Sequence, residues 1–223
     1  ESLIVPSQPG NHIYLTIDLK IQKIAHAALS KSGHKAGAAV VLDVNNGDVI
    51  ALASHPAFDP NEFIPSIGPK KWAEYRNSNP SPLLFRATQE RYPPGSIFKI
   101  ITGLAVLESG VVKTNDFMYS RGHYRLGRRN IGDTAPAGDY DFKKAFKHSS
   151  NTYFIHHGLA CGIKNIIRMG NQFFLGQRTG LLPRQEVAGQ FPTLEEVRRN
   201  WRDGDTANIA FGQGRITVTP LQM

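Results

Sequence analysis

The chain has 223 residues, 40% of them apolar, enough for one large core or two small ones. The net charge of +8 is spread over dispersed lysines and arginines, densest in GRRNIG and EEVRRNWR, so it describes a solvated basic surface rather than a nucleic-acid-binding run. The single cysteine, Cys161, excludes an intrachain disulfide, and no run approaches the roughly 18 apolar residues that span a bilayer.

The opening ESLIVPSQPG has neither the basic start nor the apolar middle of a signal peptide, and the first residue is not Met. The expectation is a piece of a longer protein, with any membrane anchor elsewhere. YLTIDLKIQKIAHAALSKSG reads as a helix capped by Asp18, with Ile21, Ile24, Ala25, Ala28 and Leu29 at helical spacing and Gly33 as its stop. AGAAVVLDVNNGDVIALAS reads as two strands around Asn45-Asn46-Gly47, a hairpin signal. A helix followed by an antiparallel hairpin points to the α+β class.

Residues 55–84 are rich in Pro and Asn and read as an irregular crossing. Residues 96–109 read as a helix apolar on most sides (Ile97, Phe98, Ile100, Ile101, Leu104, Ala105, Leu107), hence buried. SRGHYRLGRRNIGDTAPAGDYD reads as loop or short strand, and helical patterns resume over 141–175. Thr193 and Glu196 fit a capping box, and Thr219-Pro220 a further helix start.

The stretch RYPPGSIFKI is the first with chemistry in it. Pro93 and Pro94 cannot continue a helix, and Gly95 permits an unusual turn, so Ser96 falls at the start of the apolar helix with Lys99 one turn on. Helix-terminal charge and burial would lower the lysine pKa, and a neutral amine can take the serine proton. The Ser96 amide at the helix start would face a developing oxyanion. A plain helix start explains the spacing equally well, and Ser32 to Lys35 shows that S-x-x-K occurs incidentally. A lysine on so apolar a helix favours the chemical reading. KHSSNTYF then sets Ser149 and Asn151 two apart, on one side of an extended or looped segment, as a proton relay and a carbonyl ligand. A helix start at Ser149 or Ser150 is the plainer alternative. His148, His156, His157 and Cys161 lie close in sequence but form no complete four-ligand zinc pattern, and helix-face histidines are the plainer reading.

S-x-x-K followed by S-x-N resembles the signature of penicillin-binding proteins and serine β-lactamases. LTIDLKIQKIAHAAL, VVLDVNNGDVIALASHPAFDPNEF, LLFRATQERYPPGSIFKI, SSNTYF and FGQGRITVTPLQM resemble successive blocks of class B penicillin-binding proteins, in family order. FDPNEF and YPPGS are most similar to the penicillin-binding protein 2 type, which serves cell elongation. The resemblance implies an α/β transpeptidase fold like that of serine β-lactamases: an antiparallel sheet flanked by helices, plus a mostly helical lobe. It implies a peptidoglycan D,D-transpeptidase in which Ser96 is the nucleophile, Lys99 the base, Ser149 the proton relay and Asn151 a substrate ligand. Stem peptides and β-lactam antibiotics would be its ligands and a membrane glycan polymerase its partner, with no metal or organic cofactor and no nucleic acid. The location implied is the bacterial inner membrane, with the catalytic domain facing the periplasm or outer surface.

The family's third element, K-T-G, is not found. Lys113-Thr114 is followed by Asn115, and Arg178-Thr179-Gly180 sits in a block resembling the family's TG…LP…E segment, with LPRQE in place of the more usual LPGE. The family's K-T-G strand follows the GQG…VTPLQ block, within which Met223 falls, so residues 1–223 are expected to be an incomplete transpeptidase domain lacking the C-terminal part of the sheet and weakly active or inactive alone. Two rivals remain. A serine β-lactamase or penicillin sensor would need a group to activate water, for which Glu186 and Glu195 are the acidic candidates. An inert peptidoglycan-binding or structural module would need no working Ser96.

Overall fold

The computed structural model describes residues 9–182 and 184–223. These divide into two compact units, one ending at Pro56 and the other running from Ala57 to Met223.

The first unit is a helix and a hairpin. Helix α1 (Leu19–Lys31) is capped by Asp18, whose carboxylate accepts from Lys20 N at 2.8 Å and Ile21 N at 2.9 Å, as expected from sequence. Strands β1 (Gly37–Leu42) and β2 (Val49–His55) pair antiparallel, from Gly37 opposite His55 to Val41 opposite Ala51. The loop between them is closed by Asp43, which accepts from the Asn45 amide, and by Asn46, which accepts from the Asp48 amide. Gln22 clasps helix to strand by bonding both Leu52 N (2.7 Å) and Leu52 O (2.9 Å). Ala25, Ala51 and Ala53 form a small core with Ile21, Leu29 and Ala39.

The second unit begins with a 3-10 turn (Pro60–Phe63), α2 (Pro69–Asn77) and α3 (Arg86–Gln89), where the sequence promised only an irregular crossing. The rings of Phe58, Phe63, Trp72 and Tyr75 pack on one another there, and the Tyr75 hydroxyl donates to Glu62. A second 3-10 turn (Gly95–Phe98) leads into α4 (Lys99–Glu108). Four short strands follow: β3 (Met118–Ser120), β4 (His123–Leu126), β5 (Arg129–Gly132) and β6 (Gly138–Tyr140). β3 pairs with β6 and β4 with β5, both antiparallel. The remaining helices are α5 (Phe142–Lys147), α6 (Asn151–Cys161), α7 (Ile163–Gln172), α8 (Leu194–Arg199) and α9 (Asp203–Ile209).

The main core joins Phe98, Ile101, Ala105 and Val106 to Ile166, Ile167 and Met169 of α7 and to Ile209, Ile216 and Val218. α4 is not buried all round as its composition promised. Ile97, Ile100 and Leu104 are 53%, 44% and 39% exposed, because they share the face opposite the buried Thr102 and Val106. Thr193 and Glu196 form the expected capping box of α8. Thr219-Pro220 starts a turn in which Thr219 N donates to Gln222 Oε1 and Gln222 N to Thr219 Oγ1.

Candidate active site

Four side chains singled out in the sequence converge on one point. Lys99 Nζ lies 3.2 Å from Ser96 Oγ, 2.9 Å from Ser149 Oγ, 2.8 Å from Asn151 Oδ1 and 2.6 Å from the Ser149 carbonyl. Ser149 Oγ is in turn 2.9 Å from Ser96 Oγ. The arrangement is asymmetric in exposure: Lys99 is only 2% exposed, whereas Ser96 is open to solvent. Burial pushes the Lys99 amine down from 10.5 to about 8, and the negative charge of Asp133 offsets only part of that.

The donor count fixes what this cluster can do. An ammonium has three N–H donors and faces four oxygens here. A neutral amine has two donors and one lone pair. The Ser149 carbonyl and Asn151 Oδ1 accept only, so they take the two N–H groups, and the lone pair is left for a hydroxyl proton from Ser96 or Ser149. Since those hydroxyls also touch each other, a proton leaving Ser96 has a direct route and a relayed one to the same nitrogen.

Local structure explains how the chain delivers these groups. Ser96 sits in the 3-10 turn before α4 rather than on the α-helix proper, so Ser96 and Lys99, three residues apart, lie above one another. The turn is pinned from behind: Gly95 N donates to Gly212 O at 2.9 Å. Gly212 has φ +79°, and a Cβ there would fall 1.9 Å from the Gly95 carbonyl oxygen. Only glycine permits both the conformation and the approach.

Of the extended or looped segment expected around Ser149 and Asn151, the structure has the loop. They straddle the junction of α5 and α6. Ser149 N donates to Phe146 O and Ser150 N to Ala145 O, the paired bonds of a Schellman helix end. Ser149 therefore holds the left-handed position, φ +54°, where glycine is usual. Ser150 then caps α6, accepting from Tyr153 N. The helix start falls at Ser150, and Ser149 is the serine whose hydroxyl meets Lys99.

One residue of this site was not legible in the sequence. The Asp133 carboxylate accepts from Asn151 N (2.6 Å), Ser150 Oγ (2.6 Å), Thr152 N (2.9 Å) and Ala135 N (3.2 Å). Burial pushes this carboxyl up, but hydrogen bonds from Ser150, Thr152 and Ala135 outweigh it and hold it below the usual carboxylate range. An aspartate just past a short strand has no spacing signature. The nearest hint is its place before Thr134 and Pro136, which reads as a turn.

The other candidates lie elsewhere. Glu186, 6% exposed, accepts from Thr179 N, Thr179 Oγ1, Gly180 N and Leu182 N, so its oxygens are committed to folding the RTG loop. Arg178-Thr179-Gly180 is thus a carboxylate-bound loop, in keeping with its rejection as a K-T-G strand. Glu195 is exposed and pairs with Arg199 at 2.5 Å. Cys161 Sγ donates to Ala105 O, the His157 ring packs at a tilt against Tyr153, and among the described residues no three metal-ligating groups converge.

Comparison with known proteins places the chain in a family. The peptidoglycan D,D-transpeptidase MrdA of Escherichia coli strain K12 is 34% identical over 227 residues, an alignment that covers 98% of this chain and 35% of the relative. The chain thus spans about a third of the length of the curated relatives it matches. A crystal structure of Pseudomonas aeruginosa PBP2 in complex with WCK 5153 superposes with a TM-score of 0.84 at 32% identity, covering 93% of this chain and 48% of that one. A complex between penicillin-binding protein PBP2 and MreC from Helicobacter pylori gives 0.85 at 31%, covering 92% and 39%. The fold is therefore the mixed helix-and-strand transpeptidase fold expected. With residues 37–223 matching its family description, the chain belongs to the penicillin binding protein transpeptidase domain family.

Proposed function

We propose that the whole protein is a peptidoglycan D,D-transpeptidase working through an acyl-enzyme on Ser96. The observation that carries this is the buried Lys99 amine in hydrogen-bond contact with both Ser96 and Ser149, its pKa brought down to about 8. Ser96 Oγ attacks the carbonyl of the penultimate D-Ala of a stem peptide as Lys99 takes its proton. Ser149 carries that proton to the departing amine of the terminal D-Ala, and Asn151 holds the substrate carbonyl. An amine of a neighbouring stem then resolves the ester, and Lys99 receives its proton in turn. β-Lactams acylate the same oxygen. On this reading residues 1–223 are one part of a transpeptidase domain, and the third motif of the family is supplied from outside them.

The whole protein is proposed to sit in the bacterial inner membrane with this domain outward and to work beside a glycan polymerase. The PBP2–MreC complex makes an MreC-like protein a further partner to test. Among the described residues no helix is long and apolar enough to cross a membrane.

The test is intact-mass spectrometry of the full-length protein incubated with a penicillin. The expected result is a stable adduct of one drug mass, absent in Ser96→Ala and formed at a rate that rises with pH through about 8 as Lys99 loses its proton. A full-length protein that takes no adduct sinks the proposal and favours an inert binding module. Rapid turnover of the adduct moves the assignment to a β-lactamase.

A further inference from the structure

Ser149 stands in a conformation its side chain disfavours, and that needs an explanation outside its own helices. The tripeptide Gly132-Asp133-Thr134 contacts each residue of the segment 149–152. The Gly132 carbonyl accepts from Asn151 Nδ2 at 3.3 Å. The Asp133 carboxylate takes Ser150 Oγ and the amides of Asn151 and Thr152. Thr134 Oγ1 donates to the Ser149 carbonyl at 2.8 Å, the same oxygen that accepts from Lys99. Two further bonds fix the tripeptide itself: Asp133 N donates to Gly122 O at 3.0 Å, and Ser120 Oγ to Asp133 at 3.4 Å.

Resting on the functional reading above, we propose that Asp133, with Thr134, is a positioning residue that holds Ser149 and Asn151 in register with Lys99. A left-handed serine persists only where its surroundings over-determine it. Here the carboxylate anchors the residue after Ser149 and the first two amides of α6, while Thr134 fixes its carbonyl, so Ser149 is held from both sides. The carboxylate touches neither Ser96 nor Lys99. Its effect on Lys99 is through space, one negative charge favouring the ammonium against burial. The site then has a division of labour: burial makes the amine a base, and Asp133 limits how far that goes.

The experiment uses the full-length protein with Asp133→Asn, which keeps the shape and one acceptor, and Thr134→Val, which removes only the bond to Ser149. Two quantities are read. One is the second-order rate of penicillin acylation of Ser96 against pH. The other is the titration midpoint of the Lys99 amine, followed by 13C NMR after isotopic methylation, with Lys99→Arg to assign the signal. Asp133→Asn is expected to slow acylation at least tenfold on its plateau and to shift both the rate limb and the Lys99 midpoint to lower pH. Thr134→Val is expected to slow acylation several-fold with the midpoint nearly unmoved. Thermal unfolding of each variant separates loss of fold from loss of register. A folded Asp133→Asn with unchanged plateau and midpoint overturns the proposal. If the wild type takes no penicillin yet the midpoint still falls in Asp133→Asn, the electrostatic role stands and the transpeptidase reading is what fails.

Discussion

Ser149 carries the clearest conflict in the molecule between local preference and chemical use. A non-glycine residue in the left-handed region is disfavoured by roughly 1 kcal/mol or more. Ser149→Gly should relieve that while deleting the hydroxyl between Ser96 and Lys99. The expected outcome is stability unchanged or raised by about 1 kcal/mol, with the plateau rate of Ser96 acylation down at least tenfold; urea titration and stopped-flow acylation check the two halves. A variant destabilised by much more than that would mean the hydroxyl holds the fold rather than serves the chemistry. The same residue shows how a looped segment brings the i, i+2 pair Ser149 and Asn151 to one lysine. The two side chains share a side because a helix end and a helix start meet between them, not because the backbone is extended.

Between elements, the contact that matters most is backbone to backbone. The 3-10 turn carrying Ser96 lies against Gly212 so closely that no side chain fits. Gly212→Ala should lower stability by roughly 3 kcal/mol and slow Ser96 acylation, because Gly95 must retreat. Gly110→Ala is the control: it has φ +72° with nothing within 4 Å, so it pays the conformational cost without the collision. Equal losses in the two, measured by denaturant midpoint, would show that the collision is relieved at no expense and that the turn is not pinned.

These elements also mark the limit of what the sequence displayed. Ser96, Lys99, Ser149 and Asn151 were legible because each pair is close in sequence and the side-chain types define the chemistry. Asp133 and Gly212 were not, because their partners lie 17 to 19 residues away in one case and in a distant turn in the other. The exposed face of α4 escaped for a related reason: composition reports that a helix is apolar, but only its neighbours decide which apolar side chains are covered. The capping residues Asp18, Ser150 and Thr193 needed no such context, since each acts within three residues of itself.

At the scale of the whole molecule, the second unit encloses a group that makes it sensitive to acid. His157 is 9% exposed, and burial, with His156 beside it, pushes its pKa down to about 4 against a weak opposing pull from Asp116. The folded state therefore binds this proton less readily than the unfolded chain. The associated stability is fully present above about 6.5 and is lost as pH falls toward about 4, by about 3 kcal/mol in all. His157→Phe keeps a ring against Tyr153, whose centroid is 4.3 Å away, and removes the titration. Its melting temperature relative to wild type should climb as pH is lowered from 7 to 4; parallel curves would contradict the assignment.

The Gly95–Gly212 contact has a consequence in time as well as in space. A chain emerging from the ribosome presents Ser96 and Lys99 before the segment that backs their turn, bonded through Gly212 and through the Tyr92–Val218 pair, has been made. Closing a loop of this length costs chain entropy and cannot be completed before residues 212–218 have been made. A nascent chain therefore carries Ser96 without the backing of its turn until the residues around 212–218 have arrived.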